Sequence, residues 1–457
     1  MTLWTQLQIF DSAPCWRTPS IYSIAETIMK WTSLSIALVI FIAGCDNSVD
    51  IQDSQTESEE AVLTQLSLSQ QTADFSLAVD AAESLTQEDP GQGQGPPRRV
   101  RNELATLGRV LFYEKQLSSN GSVSCASCHR QAEGFADSRT FSPGFEGVLT
   151  NRQAMSVANV RFYRSGRMFW DERAESLEAQ ALEPIQHPGE MGLTLTEAVE
   201  RVEAQPYYSA LFQNAFGDDA VNPERIAEAI ATFERSIVTT NSRYNQWLAA
   251  GGNNADLARG RGGPGDGGPR NGGPGNGGPG NGGPGNGGPG NGGPDNNNGN
   301  TADGNIAPDP ALISQFFSDQ EDLGRRLFFS PRTQCSRCHA GRAFVGDRPR
   351  NNGLDLDTSA DQGAGDGRFK MASLKNIELT APYMHDGRFQ TLEQVVQFYN
   401  NGIQDHPDLD NRLTNRRGNP IRMNLSAEER DALVAFMKML TDETLATEER
   451  FSDPFLN

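Results

Sequence analysis

Residues 125–129 read Cys125-Ala126-Ser127-Cys128-His129, and residues 335–339 read Cys335-Ser336-Arg337-Cys338-His339. Two thiols three residues apart lie on one face of a helical turn, where both can form thioethers with the vinyl groups of one haem. The next residue then presents its imidazole to the iron. Cys-x-x-Cys-His is accordingly the attachment signature of a c-type haem. Half of a zinc site or a redox Cys-x-x-Cys pair would accommodate a single copy. Two copies, each with His directly after the second Cys, fit those alternatives poorly. The motifs therefore predict two covalently bound haem c groups, with His129 and His339 as iron ligands.

The motifs take four of the chain's six cysteines, and the other two, Cys15 and Cys45, lie in the N-terminal region, so no pair is left over for a structural disulfide. A length of 457 residues suggests two or three domains, and the composition lowers that to about two. The formal charge is -20, but residues 46–97 hold eleven Asp or Glu and no Lys or Arg, which leaves about -9 on the rest. Half of the acidity is thus a property of one solvating linker. No basic patch or stripe of the kind that nucleic-acid binding needs is present.

Residues 29–45 run from Met29-Lys30 through an apolar stretch to Ile42-Ala43-Gly44-Cys45. This reads as a secretory signal, too short for a comfortable membrane span. The last four residues resemble a bacterial lipobox, which would make Cys45 a lipidated first residue, residues 1–28 an upstream extension, and the protein periplasmic or cell-envelope with a membrane anchor. A simple secreted protein, or one with the segment retained, is the alternative. Residues 46–97 are rich in Ser, Gln and acids and read as a disordered tether. Residues 251–309 contain a Gly-Gly-Pro-Gly-Asn repeat with no helix or strand period and read as a flexible insertion. Its period of five excludes a collagen helix, which needs glycine at every third position.

Between these segments the signals are helical. Leu107-Gly108-Arg109-Val110-Leu111-Phe112 precedes the first motif and Leu323-Gly324-Arg325-Arg326-Leu327-Phe328 precedes the second, an internal repeat. Thr194-Leu195-Thr196-Glu197, Thr391-Leu392-Glu393-Gln394 and Ser426-Ala427-Glu428-Glu429 are capping boxes, and Asn222-Pro223 is an N-cap followed by proline. Ile226, Ile230, Phe233 and Ile237 fall on one face of one helix, and Leu433, Phe436, Met437 and Leu440 on one face of another. The expected fold is mostly α: two cytochrome-c-like haem domains, 98–250 and 310–445, joined by the Gly-rich segment and followed by a tail at 446–457.

In combination with the two haem motifs, Phe169-Trp170-Asp171-Glu172-Arg173, Gln180, His187-Pro188-Gly189-Glu190-Met191 and Thr380-Ala381-Pro382-Tyr383-Met384-His385-Asp386-Gly387 make the sequence resemble the bacterial di-haem cytochrome c peroxidases and their MauG-type relatives. The resemblance covers roughly residues 98–445 apart from the insertion. It implies that the first haem is the peroxide site and the second the electron-transfer haem. It further implies Glu190 as the acid/base residue, Gln180 as the group orienting peroxide and Trp170 as the tryptophan between the haems. Heterolysis of an O–O bond does require a group that takes a proton from one oxygen and returns it to the other. A solvated carboxylate and a packing aromatic are the plainer readings of Glu190 and Trp170.

The chain has five histidines, His129, His187, His339, His385 and His406. Many members of the family carry a further histidine between the first motif and the tryptophan that ligates the first iron. Residues 130–169 contain none, so the first haem should be open unless His187 supplies the ligand. At the second haem the matching axial position is Tyr399, where peroxidases usually have Met and MauG-type proteins have Tyr. Met384 and Met371 are the alternative ligands. His385 matches a family residue near the haems, and His406 reads as surface loop. The resemblance also implies calcium between the domains, at carbonyls of Thr380 and Pro382 with Gln153 in place of the usual Asn, and it allows a homodimer.

The activity that follows is reduction of hydrogen peroxide with electrons from a small cytochrome or cupredoxin. A MauG-type oxidase acting on a protein or organic substrate is the nearest rival, and a di-haem electron carrier without catalysis is a third reading.

Overall fold

The computed structural model describes residues 62, 64–68, 73–76, 100–254 and 309–456. The signal segment with Cys45 and the Gly-rich repeat lie outside the described residues. Helices dominate the rest, and isolated β-bridges take the place of strands among the described residues. In chain order up to residue 254 come α1 (Asn102–Tyr113), α2 (Cys125–Cys128), α3 (Leu177–Gln186), α4 (Leu195–Glu203), α5 (Pro206–Phe216) and α6 (Pro223–Ser236) around the first motif, and then α7 (Arg243–Ala249). Around the second lie α8 (Pro310–Phe316), α9 (Asp319–Phe328), α10 (Leu392–Gln397) and α11 (Ala427–Lys438).

The start signals act as the sequence predicts. Thr194, Thr391 and Ser426 each close a reciprocal capping box, and the Asn222 side chain accepts from the Arg225 N–H ahead of α6. Each box satisfies amide groups that the first helical turn leaves without partners.

Both halves are assembled on the same helix crossing. In the first, α1 meets α6 at Gly108, where an added Cβ would stand 1.9 Å from the Ala229 carbonyl oxygen and 2.9 Å from the Phe233 Cβ. In the second, α9 meets α11 at Gly324, where a Cβ would stand 1.9 Å from the Ala432 oxygen and 2.8 Å from the Phe436 Cβ. The Leu-Gly-Arg repeat therefore records a contact between backbones that only glycine permits. The arginine after each glycine is buried: Arg109 donates to Ser452, while Arg325 pairs with Asp322 and faces the Trp247 ring. Phe233 and Phe436 are fully buried at the two crossings.

Three segments differ from the sequence reading. Parts of the expected disordered tether are packed: Leu66 and Phe75 are buried, Leu66 pairs with Phe455, and Phe75 meets Phe233 and Phe451 edge-on or tilted. The expected tail at 446–457 is likewise structural, because Phe451 is fully buried in the first core and its carbonyl accepts from the Tyr113 hydroxyl at 2.7 Å. Apolar residues spaced singly in polar surroundings carry no helix or strand period, so neither contact shows in the sequence. Finally, α7 falls within the stretch assigned to the first domain, yet Tyr244, Trp247 and Leu248 pack into the second core.

Gly108→Ala and Gly324→Ala should each destabilise the haem-loaded protein by about 1–3 kcal/mol or more, because a backbone carbonyl cannot move aside as a flexible side chain can. Thermal melts that match the unsubstituted protein within error would contradict this account of the crossing.

Candidate functional site

The first motif occupies α2, with His129 as its C-cap, and Ser124 and Ser127 form a capping box ahead of it. The His129 N–H donates to the Cys125 carbonyl at 2.9 Å, and its Nδ1 lies 3.1 Å from the Phe135 carbonyl oxygen. That second contact assigns the proton to Nδ1 and makes Nε2 the nitrogen that could ligate a metal. The second motif is a tighter turn, with the His339 N–H also donating to Cys335 at 2.9 Å. Phe135 and Phe344, fully buried, both adopt left-handed backbone conformations with φ of 62° and 53°, so each motif is followed by the same tight loop. Burial depresses the proton affinity of both imidazoles, that of His339 to about 4, which keeps them neutral and able to ligate.

The three side chains of neither motif converge on a common point. Among the described residues the single cluster with ligand atoms close enough for one ion is Asp355, His385 and Asp386. A zinc half-site needs convergence. A covalent haem needs two sulfurs on the ring edge and the imidazole beneath the iron, which is a divergent set. Burial also raises the pKa of Cys125 and Cys335, that of Cys335 to about 11.

Cys335, Cys338 and His339 open into a mainly apolar cavity that is partly open to solvent. A haem calls for a mainly apolar cavity with a few polar groups in its lining, and Cys335, Cys338 and His339 stand in such a lining. Arg350 lines the same cavity with Nε buried and without a hydrogen-bond partner, and a haem carboxylate would satisfy it. Tyr399, Met384 and Met371 all reach this cavity. Tyr399 stands where α10 gives way to a π-helical turn over Phe398–Gly402, and its phenol accepts from Asn352 Nδ2 at 3.2 Å. Burial raises its pKa to about 12, against the effect of that hydrogen bond.

Around the first motif, Glu190 is half-buried and close enough to Cys125 and Cys128 to affect both thiols. Its loop is held from two sides: the Glu190 carbonyl accepts from the Phe145 N–H at 2.9 Å, and the Met191 carbonyl from the Ser119 N–H at 2.7 Å. Burial raises its pKa, opposed by His187, whose Nδ1 lies 3.5 Å away, and by Arg173. Gln180 projects from α3 with a buried Oε1 that has no partner. His187 itself is exposed, its Nδ1 accepting from the Gly189 N–H.

Trp170 lines the second-motif cavity. Its Nε1–H donates to the Gln153 carbonyl at 2.8 Å, and its ring meets the His385 ring edge-on at 6.5 Å. His385 stacks on Phe369 at 3.6 Å. Thr380, Pro382 and Gln153 line the same cavity, with the Gln153 side chain donating to the Asp137 carbonyl at 3.1 Å. His406, expected on the surface, is buried and accepts from the Asp408 N–H through Nδ1.

Sequence reading missed two residues. Counted from the N-caps Ser176 and Thr391, the eighth residue is Pro184 in α3 and Tyr399 after α10. Matching the two capping signals would have exposed this difference, since a proline side chain has no donor atom to offer a metal. Asn352 gave no signal, because its contact spans 47 residues of sequence.

A family model described as di-haem cytochrome c peroxidase matches residues 102–253. The methylamine utilization protein MauG of Methylorubrum extorquens is 30% identical over 356 residues, covering 75% of this chain and 80% of that protein. The cytochrome c551 peroxidase of Nitrosomonas europaea is 31% identical over 308 residues, covering 65% and 72%. The crystal structure of a MauG-like protein associated with microbial copper homeostasis superposes with a TM-score of 0.57 at 29% identity, covering 80% of this chain and 99% of that one.

Beside Cys125, burial raises the Glu234 carboxyl to about 8, and its Oε2 has no partner. The native state therefore holds a proton here between the ordinary value of 4.5 and about 8. Any stabilisation from this group is fully present below pH 4.5 and declines as pH rises through that window. Glu234→Gln should flatten this fall, so its melting temperature should gain on the unsubstituted protein as pH is raised to about 8. Parallel pH profiles would refute the assignment.

Proposed function

Because this chain belongs to the di-haem cytochrome c peroxidase and MauG family, an enzyme family of oxidoreductases, we propose that it reduces hydrogen peroxide to water at the His129 site with electrons entering at the His339 site. Family membership implies two haem c groups, and the residues described above fit them. When bound, haem supplies the iron that takes up peroxide and stores oxidising equivalents.

The observation that carries the reading is Glu190, half-buried in a doubly anchored loop beside the first pair of cysteines and with its proton affinity raised by burial. A carboxylate there accepts a proton from one peroxide oxygen and returns it to the other, which leaves as water. Two electrons and two protons complete the reduction to two waters. The unpartnered Gln180 Oε1 supports a role in orienting peroxide by accepting its O–H. Pro184, standing where the second half has Tyr399, leaves that side of the first site without a protein ligand. Trp170 connects the halves through its contacts with Gln153 and His385, which fits a role in passing electrons between them.

A small cytochrome or cupredoxin is the electron donor in this reading. Calcium at the Thr380 and Pro382 carbonyls belongs to it as well, supported by the presence of both residues and Gln153 in the lining of one cavity. The lipobox-like Ile42-Ala43-Gly44-Cys45 supports a periplasmic or cell-envelope protein held by lipid at Cys45. No helix among the described residues is long and apolar enough to cross a membrane. Tyr399 favours one second reading, a MauG-type oxidase that spends the same oxidising equivalents on a protein or organic substrate, since an anionic oxygen ligand would stabilise the oxidised second haem.

Glu190→Gln, loaded with both haems, should react with peroxide about 100-fold more slowly or worse in stopped-flow mixing, the lower end of what a positioned acid/base contributes. Because the base must be unprotonated, the unsubstituted rate should rise with pH through the elevated Glu190 pKa, and that limb should vanish in the variant. An unchanged rate and pH profile would remove Glu190 from the mechanism. Turnover with a reduced small cytochrome separates the peroxidase from the oxidase.

A further inference from the structure

Asn352 lines the cavity into which His339, Tyr399 and Met384 also project. Its Nδ2 donates to the Tyr399 hydroxyl oxygen at 3.2 Å and lies 3.8 Å from the Met384 sulfur. Two of the three side chains that could complete the second iron's coordination thus share one amide nitrogen. The amide cannot readily flip, because its Oδ1 accepts from the Leu354 N–H at 3.2 Å and so commits the NH2 group to the cavity. Both candidate ligands sit on unusual backbone: Tyr399 on the π-helical turn, and Met384 in a left-handed conformation with φ of 74°. Such features recur where a functional side chain must be aimed.

The amide does not treat the two atoms alike. A tyrosyl oxygen bound to iron keeps a lone pair and negative charge, and a hydrogen bond to it is charge-assisted. A thioether sulfur is a weak acceptor whether bound or free. We propose that Asn352 is a positioning residue that selects the Tyr399 oxygen over the Met384 sulfur as the second protein ligand of the His339 haem. The proposal rests on the reading of Tyr399 as that ligand and goes beyond it by naming what decides between two candidates within reach. One charge-assisted hydrogen bond biases such a competition by roughly tenfold to a hundredfold.

The deciding variant is Asn352→Asp, which keeps an acceptor for the Leu354 N–H and removes the donor. Asn352→Ala serves as a second donor-free variant should the first fail to fold. Optical and magnetic spectra of the oxidised two-haem protein, with the midpoint potential of the second haem, provide the readout. Replacement of the tyrosinate-to-iron charge-transfer band by a thioether-to-iron band is expected, with a higher potential, since Met ligation raises it. The carboxylate of Asn352→Asp would by itself lower the potential, so a rise cannot come from added charge. The new band should disappear in Asn352→Asp/Met384→Leu. Any other ligand set in the donor-free variants, including retention of the tyrosinate band, overturns the selection. Tyr399→Phe is the separate control: an unchanged spectrum there means that Tyr399 is not the ligand, whereas a changed spectrum with an unaffected Asn352→Asp means that only the selection is wrong.

Discussion

The close crossing of two helices at a glycine is the constraint on which each half depends. At Gly108 and at Gly324 the helix before the haem motif is pressed against a carbonyl of the last helix of its half, with a buried phenylalanine one turn beyond. Helix axes normally stand 8–10 Å apart, the distance being set by the side chains at the contact. Removing the side chain at this point brings the backbones together and orients the chain that leaves α1 or α9 toward its Cys-x-x-Cys-His turn. The core then closes around the crossing: Phe112 and Phe135 with Phe233 in one half, Phe328 and Phe344 with Phe436 in the other.

The repetition extends to backbone devices with no obvious sequence period. Asn159 and Asn376 are both left-handed, their N–H groups cap the ends of α6 and α11 at Ile237 and Leu440, and both side chains donate to the one Thr239 hydroxyl. Phe169 and Met384 are left-handed at matching places, each just inside a bridged loop, Met168 with Ala174 and Tyr383 with Phe389. The next residues are Trp170 and His385, whose rings meet. Two copies of one turn thus face each other where these rings meet and deliver different side chains. The two copies differ in the side chains they present: Trp170 against His385, Phe169 against Met384, Pro184 against Tyr399.

Charged and polar groups hold the facing turns in register. Arg152 engages Asp171 beside the tryptophan and Asp361 in the other half, with its guanidinium over the Phe369 ring on which His385 stacks. The buried Lys370 and Glu172 pair at 3.3 Å, and the Lys370 N–H donates to the Trp170 carbonyl. Breaking one member of such a pair is far more damaging than the pair's net contribution, since the other charge stays buried. Gln131, just past the first motif, donates to the carbonyls of Leu445 and Glu448, so the end of the chain is bound into the first half as well.

Both haem motifs, the helix starts at Thr194, Asn222, Thr391 and Ser426, the buried faces of α6 and α11, and the repeat around Gly108 and Gly324 were legible in the sequence, because each depends on residues within one or two turns of one another. The motifs also placed Glu190, Gln180 and Trp170 by resemblance, but no local pattern distinguished them from a surface carboxylate, a helix amide and a packed ring. The docking of Phe75 and Phe451 on the first core, the assignment of α7 to the second, the burial of His406 and the meeting of Asn352 with Tyr399 and Met384 were decided by tertiary structure alone. Each joins residues that are distant in sequence or isolated from any period, and the free energy of such a contact exists only once the chain has closed the intervening loop.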